Sequence, residues 1–126
     1  MKPQTILALG ALSAFAAVGL GAFGAHGLKS ILTVSQLGTY QTAVEYQFYH
    51  ALALVMVAAI GFQFPLATGL KWTAVLFVTG IILFSGSLYL LVFTNIKILG
   101  AVTPLGGLAF LAGWSCLTFS AIKQLK

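Results

Sequence analysis

One stretch of the chain, Tyr40–Leu54, combines residue types that can perform acid–base or ligand chemistry. It contains the only acidic residue of the chain, Glu45, together with His50 and three tyrosines. On a helix, side chains spaced four residues apart share one face, so all of these residues except Tyr40 fall into two neighbouring rows. The sequence therefore predicts a helix with one broad polar face, whose rows are Gln41, Glu45 and Tyr49 beside Thr42, Tyr46 and His50.

Glu45 and His50 each have a functional and a structural interpretation. An acid or an imidazole inside a membrane is a candidate for proton transfer, and a histidine is also a candidate metal or haem ligand. The structural alternatives are that Glu45, near the membrane boundary, reaches water or Lys29, and that the deeper His50 is hydrogen-bonded between helices. We favour the structural alternative for both residues.

His26 lies in the sequence GAHG, which is typical of a flexible turn. If that turn approached the second helix, His26, Glu45 and His50 would form a His/Glu/His metal site. The absence of HxxxH or ExxH spacing argues against such a site. We therefore predict no metal ion, no cofactor and no catalytic residue, and the candidate polar cluster is His26, Gln41, Glu45, Tyr46, Tyr49 and His50.

The side chains of Tyr46, Tyr49 and His50 are expected to face the bundle interior. An unpaired phenol or imidazole in hydrocarbon costs on the order of 1–3 kcal/mol, so the first helix, the third helix or the GAHG turn should supply partners. As alternatives, the tyrosines form an aromatic belt at the interface or hydrogen-bond a quinone or lipid headgroup. The same helix rotation would turn the apolar side outward, namely Phe48, Ala51 and Val55.

The composition describes an integral membrane protein. Of the 126 residues, 60% are hydrophobic and only 6% are charged, and the mean hydropathy is +1.08. These values lie far from those of water-soluble domains. The net charge of +5 does not indicate nucleic-acid binding, because the chain has no arginine and its lysines are scattered. Lysines in such a chain anchor the helices at the membrane interfaces, among the lipids.

Four apolar segments predict membrane-spanning helices at approximately residues 4–24, 34–61, 71–93 and 104–122. Each is long enough to cross a hydrocarbon layer of roughly 30 Å. Thr33 is the predicted N-cap of the second helix, and Thr103 and Pro104 are the predicted N-cap and first residue of the fourth. The predicted fold is all-α, an integral membrane four-helix up-down bundle with a short interfacial segment between the first two helices, in one domain spanning residues 1–126.

Small residues recur at spacings of three and four along the first and fourth helices. Such a stripe lets a neighbouring helix approach closely. Gly106 and Gly107 are expected to pack against the second helix. The predicted helix-packing residues are Gly10, Ala14, Ala17, Gly21, Gly24, Gly106, Ala109 and Gly113.

An up-down bundle of four helices has both termini on one side of the membrane. If that side is the cytoplasm, more lysines lie inside than outside, as the positive-inside rule requires. The sequence therefore predicts an N-in/C-in orientation. The inside lysines would be Lys2, Lys71, Lys123 and Lys126, and the outside lysines Lys29 and Lys97.

Four sequence blocks are distinctive, and they follow one another along nearly the whole chain. The blocks are GAFGAHGLK (Gly21 to Lys29), YQFYHALAL (Tyr46 to Leu54), LFSGSLYLL (Leu83 to Leu91) and LGAVTPLGGLAFLAGW (Leu99 to Trp114). In this order they resemble a small membrane protein family, known as domain of unknown function 423, which includes the eukaryotic transmembrane protein 256. The resemblance implies a four-helix protein of the bacterial inner membrane, and it implies no established reaction.

We expect a structural or interaction protein rather than an enzyme. Such a bundle would self-associate or join a larger membrane complex, and its small-residue stripes would provide contacts. One alternative is an oligomeric conduit for protons or a small solute that uses Glu45, Tyr46, Tyr49 and His50. A more distant alternative is a quinone- or haem-binding protein.

Overall fold

The computed structural model describes residues 1–65 and 67–126, and residue 66 of the predicted domain 1–126 lies outside that description. Each of its four long helices is apolar enough to cross a membrane, and the described residues contain no strand. The predicted all-α, four-helix membrane fold is therefore confirmed. The helices are α1 (Pro3–Leu28), α2 (Val34–Gln63), α3 (Thr68–Thr94) and α4 (Lys97–Lys123).

Three short segments depart from regular α-helical geometry. Gly24–Leu28 at the end of α1 and Ile81–Ser85 in the middle of α3 are π-helical, and Lys97–Ala101 at the start of α4 is a 3₁₀-helix. A π turn is wider than an α turn because its hydrogen bonds reach one residue further. The π-helical residues at the end of α1 extend this helix beyond its predicted end at residue 24. The predicted interfacial segment is therefore reduced to a short turn before α2.

The predicted cap of α2 is confirmed, whereas that of α4 is wrong. Thr33 accepts a hydrogen bond from the Gln36 backbone, and the Gln36 side chain accepts one from the Thr33 backbone, which completes a capping box. At α4 the α-helical part begins after Val102. The preceding 3₁₀ turn already leads into the helix, and the Thr103 hydroxyl instead bonds to the Ser87 hydroxyl at 2.6 Å.

α1 and α2 pack antiparallel with their backbones close together. A Cβ atom added to Gly10 would lie 2.9 Å from the Ala51 carbonyl oxygen, and one added to Gly24 would overlap the Tyr40 ring. Ala17 is buried in the same interface, whereas Ala14 and Gly21 are half-buried. Small residues are required where helices approach so closely.

The small residues of α4 contact α3 and not α2. A Cβ atom at Gly106 would overlap the Phe84 backbone, and one at Gly113 would lie 2.6 Å from the Phe77 ring. Ala109, between them, is half-buried. The expectation that Gly106 packs against the second helix is therefore wrong. A stripe of small residues accepts any helix of suitable surface, so it does not specify which one.

The helices are packed in chain order. α1 packs on α2, while α3 packs on both α2 and α4; within the described residues α1 and α4 form no helix–helix interface. Pro3 at the start of α1 lies against Gly61, and Gln124 after α4 bonds to Gly69. Both termini therefore lie at the same end of the bundle, as an up-down topology requires.

Candidate functional site

His50 lies on the inner face of α2, and both of its ring nitrogens are hydrogen-bonded. Its side chain is 5% exposed. Nδ1 lies 2.8 Å from the Tyr46 carbonyl oxygen, and Nε2 lies 3.1 Å from Nε1 of Trp114 on α4. Because a carbonyl only accepts and an indole N–H only donates, these contacts select the neutral ring with its proton on Nδ1. The imidazole therefore has no free nitrogen for a metal, a haem or a transferred proton.

The ring of His50 is also enclosed by aromatic side chains. It stacks on Phe110 with centroids 3.6 Å apart, and its centroid lies 5.3 Å from that of Phe77. The predicted inward orientation of His50 is therefore correct, but its partner lies on α4 rather than on the first helix, the third helix or the GAHG turn. Phe110 and Trp114 are spaced one helical turn apart and form an aromatic row on α4. This row is the sequence signal that α4 can contact His50.

Gln47 is a buried polar residue that the sequence interpretation missed. Its amide nitrogen donates to the Ser13 carbonyl oxygen of α1 at 3.0 Å, and its amide oxygen accepts from the Tyr89 hydroxyl of α3 at 2.6 Å. One side chain thus connects three helices. The signal that could have identified it is the spacing of small and apolar residues on the same side of α2, which include Ala43, Ala51, Leu54, Ala58 and Gly61.

Hydrogen bonds pair the other buried polar side chains of the bundle as well. Ser85, in the π-helical part of α3, donates to the Ala43 carbonyl oxygen at 2.7 Å, and the Tyr40 hydroxyl donates to the Leu20 carbonyl. The Ser13 hydroxyl is the one buried side-chain polar atom without a partner in the described part of the chain.

The remaining candidate residues lie on the outside of the bundle. Tyr49 is 54% exposed and Tyr46 is 39% exposed. The prediction that Tyr49 faces the interior is therefore wrong, and Tyr46 does so only in part, with its ring 4.6 Å from that of Phe84. Ala51, predicted to face outward, is fully buried because Gly10 of α1 packs against it.

Gln41, Glu45 and His26 are also exposed. Among residues 1–65 and 67–126 no three histidine, cysteine or acidic side chains lie close enough to hold a metal ion. The His/Glu/His combination considered from the sequence is therefore not assembled. We define the exposed polar face as Gln41, Glu45, Tyr46 and Tyr49.

The packing of α1 on α2 gives the level of Glu45 along the bundle. Gly10 contacts Ala51, and Gly21 lies opposite Val44, so the middle of the apolar run of α1 lies beside Tyr49. Glu45 is just over one helical turn from that level, about 6 Å at ~1.5 Å per residue. A hydrocarbon layer with a half-thickness of roughly 15 Å, centred on that level, would enclose the Glu45 backbone, whereas the position of Glu45 near the boundary stays a prediction.

Two adjoining hollows run along the junction of α1 and α2, and Glu45 lines both. The first has a volume of ≈ 360 Å³ and extends past Gly24 and Gln41 towards the end of α1. The second has a volume of ≈ 290 Å³ and extends past Ala17 and Tyr49 towards the middle of the membrane. Together they form a shallow crevice in which the Glu45 carboxylate and the Tyr49 phenol are the polar groups nearest the middle of the apolar run of α1.

A separate aromatic groove lies on the other side of α2, between α2 and α4. Its volume is ≈ 590 Å³, and Tyr46, Phe84, Phe110 and Trp114 line it. The imidazole of His50 contributes to its floor, but the two hydrogen bonds described above occupy both nitrogens. The groove is therefore apolar apart from the Tyr46 hydroxyl.

Comparison with known proteins identifies close relatives over nearly the full chain. The UPF0382 membrane protein YwdK of Bacillus subtilis is 45% identical over 97% of this chain and 99% of its own length. The UPF0382 inner membrane protein YgdD of Escherichia coli K12 is 39% identical over 98% of this chain and 93% of its own length. A UPF0382 membrane protein of Staphylococcus haemolyticus is 44% identical, covering 95% and 97% respectively.

No solved structure shows significant similarity to the chain. The model of the family described as "Protein of unknown function (DUF423)" matches residues 20–107, which include the end of α1, all of α2 and α3, and the start of α4. With that match and the relatives above, the resemblance found in the four sequence blocks is confirmed: the chain is a small multi-pass membrane protein that belongs to the DUF423 family.

Proposed function

We propose that this protein is an interaction module of the bacterial cytoplasmic membrane, which associates laterally with another membrane protein. The exposed polar face of α2 is the proposed contact surface. The observation that carries this proposal is that Glu45 and Tyr49 are exposed close to the middle of the apolar run of α1, a level at which lipid acyl chains would surround them. The proposal assigns the protein no enzymatic activity.

Energetics favour a protein partner for this face. Acyl chains offer no hydrogen-bond donors or acceptors, so a polar group exposed to them is unpaired and costly. Charged and polar residues in spanning segments commonly pair with one another. Apart from the Ser13 hydroxyl, the buried polar side chains of the described residues are hydrogen-bonded within the chain. The exposed polar face is the part whose partners must come from another molecule.

The small-residue stripes are less suitable as the contact surface. Gly10 and Gly24 already contact α2, and Gly106 and Gly113 already contact α3. A second protein could reach them only by displacing a helix of the bundle. The contact surface is therefore expected on the polar face and the adjoining crevice.

The state of His50 favours this function over a proton conduit or a haem protein. A relay through the imidazole needs a nitrogen that can take up and release a proton, and haem ligation needs a free nitrogen. In this bundle the Tyr46 carbonyl and the Trp114 indole engage both nitrogens. Such functions would have to break contacts that also connect α2 to α4.

The proposed orientation places both termini in the cytoplasm. The end of the bundle with the termini carries Lys2, Lys71 and Lys123 beside the α2–α3 connection, whereas Lys29 and Lys97 lie at the opposite end. The positive-inside rule favours the end with more lysines as the cytoplasmic one. Cysteine labelling at position 29 tests this proposal, and labelling only from the cytoplasm would contradict it.

Site-specific photocrosslinking tests the interaction surface. A benzophenone amino acid replaces Tyr49 in the full-length protein, and Phe15 of α1 serves as the matched control. Phe15 is aromatic, 77% exposed and at a similar depth, but it lies away from the polar face. We expect discrete protein adducts from position 49 in native membranes and only lipid adducts from position 15.

Two results would overturn the proposed function. The first is the absence of protein adducts from position 49, and the second is an identical adduct pattern from both positions. Either result would mean that the polar face has no specific neighbour.

A further inference from the structure

We infer that the partner is a different membrane protein, one that presents a lysine or arginine side chain of a spanning helix to Glu45. This inference rests on the proposed function and adds the chemistry of the partner. It follows from three features of the molecule: its charge distribution, the depth of Glu45 and the shape of the crevice beside it.

The first feature is that the chain has one acid and no basic side chain at the same depth. Glu45 is the only acidic residue among the 126, and there is no arginine. All six lysines lie at or beyond helix ends, namely Lys2, Lys29, Lys71, Lys97, Lys123 and Lys126. Lys29, which follows α1, lies beyond the level of Gly24 and Tyr40, more than a turn of α2 from Glu45.

This charge distribution argues against a second copy of the chain as the partner. In a two-fold symmetric dimer the same surface of both subunits meets, so the Glu45 carboxylate would face a second Glu45 carboxylate. Like charges at close range oppose association. An asymmetric pair would have to shift one bundle along the membrane normal to bring a terminal lysine to this depth. A protein with a basic residue in its own spanning helix meets neither obstacle.

The second feature is the depth of Glu45, which argues against a lipid headgroup as the partner. The carboxylate lies about one helical turn from the middle of the bundle, whereas the amines of lipids lie in the headgroup region beyond the roughly 15 Å half-layer. A basic side chain on a spanning helix can be placed at any depth by its position in the sequence. Charged residues in membranes pair in this way with residues on neighbouring helices.

The third feature is the shape of the crevice. On the α1 side it is lined by small residues and Val18, so a partner helix can approach closely. On the α2 side Gln41 and Tyr49 flank Glu45, each about one helical turn away. A guanidinium group can bind both carboxylate oxygens and still donate to a neighbouring acceptor, and an ammonium group has three donors. The small lining residues are Ala17, Gly21, Ala22, Gly24 and Ala25.

Synthetic spanning helices provide a direct test of this chemistry. The full-length protein, labelled with a donor dye at its C-terminus, is placed in phosphatidylcholine vesicles with acceptor-labelled leucine–alanine helices. One helix carries a single lysine just over one turn from its middle, a second carries glutamine there, and a third carries the lysine only at its end. Energy transfer measures association.

We expect the helix with the internal lysine to associate about tenfold more tightly than the glutamine helix, given the usual strength of interhelical polar contacts. Glu45→Gln should remove that preference, whereas the control variant Thr118→Val, on the exposed side of α4 and away from the polar face, should retain it. Equal association of the three helices with the wild-type protein would overturn the inference. So would a lysine preference that persists in Glu45→Gln.

Crosslinking in native membranes separates this inference from the function on which it rests. With benzophenone at position 49, we expect the adduct with a different protein to be lost in Glu45→Lys and reduced in Glu45→Gln. Adducts unchanged in both variants, or an adduct made of two copies of this chain, would overturn the inference while the interaction function stands. The absence of any protein adduct from position 49 in the wild-type sequence would overturn both.

Discussion

Polar residues lie on two sides of α2, and the two sides differ in where their side chains find hydrogen-bond partners. On the inner side, Gln47 and His50 find partners on α1, α3 and α4 within the chain. On the outer side, Glu45 and Tyr49 are exposed at nearly the same depth. The inner polar groups therefore stabilise the bundle, while the outer ones are available for another molecule. These roles are distinguished by the presence of neighbouring helices and not by polarity alone.

The largest expected effect is the loss of stability when a side chain is added at an inner helix surface. Gly113→Leu would force a branched side chain into the ring of Phe77, at a position where even a Cβ atom would lie 2.6 Å away. We expect a loss of stability of about 3 kcal/mol, at the upper end for overpacked interiors. Thermal unfolding in detergent measures it.

The control for this change is Gly19→Leu on the exposed side of α1, where an added Cβ meets no atom within 4 Å. This variant should unfold near the wild-type temperature. A similar loss of stability in both glycine variants would show that the effect comes from the helices themselves and not from their packing.

A smaller effect is expected from removing an inner glutamine. Gln47→Leu leaves the Tyr89 hydroxyl without its acceptor and removes the bond to Ser13 of α1. Two interhelical hydrogen bonds in a membrane are together worth about 1–2 kcal/mol, so unfolding should shift measurably to lower temperature. Gln41→Leu, the matched change on the exposed polar face, should leave stability unchanged. If Gln41→Leu destabilised the protein as much, the distinction between inner and outer polar residues would be wrong.

The smallest effect concerns a single donor. Trp114→Phe keeps an aromatic ring beside His50 but removes the N–H group that donates a hydrogen bond to Nε2 of His50. One such bond contributes about 0.6 kcal/mol on average. Tyr49→Phe removes an exposed hydroxyl and should leave unfolding unchanged. Equal unfolding curves for the wild type and Trp114→Phe would mean that the His50–Trp114 bond contributes nothing to stability.

The sequence alone was sufficient for the spanning segments and for the cap of α2. Helix length, apolar composition and the Thr33–Gln36 pair are local properties, and local properties can be read along a chain. The small residues of α1 and α4 likewise indicate close packing wherever a neighbour exists. Their neighbours could not be predicted, because Gly106 accepts the surface of α3 as well as that of α2.

The predicted rotation of α2 is wrong, and the cause is physical. The sequence predicts that the rows of polar residues face the bundle interior, since hydrocarbon offers them no partners. In the bundle the inner surface is instead selected by small side chains such as Ala43 and Ala51, which allow α1 to approach, and this rotation leaves Glu45 and Tyr49 outside. Close packing of α1 on α2 therefore determines the rotation of α2 more strongly than hydrogen bonding of its polar residues within the chain.

The π-helical turn in α3 makes one stretch of the helix tolerant of a shorter chain. Ile81–Ser85 lies between the half of α3 that contains Phe77 and the half that contains Tyr89. A π turn holds one residue more than an α turn, so deleting one residue there would restore a regular α-helix and leave the two halves facing the same way. In the regular part, Thr68–Gly80, the same deletion would turn one half against the other by about 100°, the rotation per residue in an α-helix of 3.6 residues per turn. A single-residue deletion is thus expected to harm the bundle far less within Ile81–Ser85 than in the α-helical turns before it.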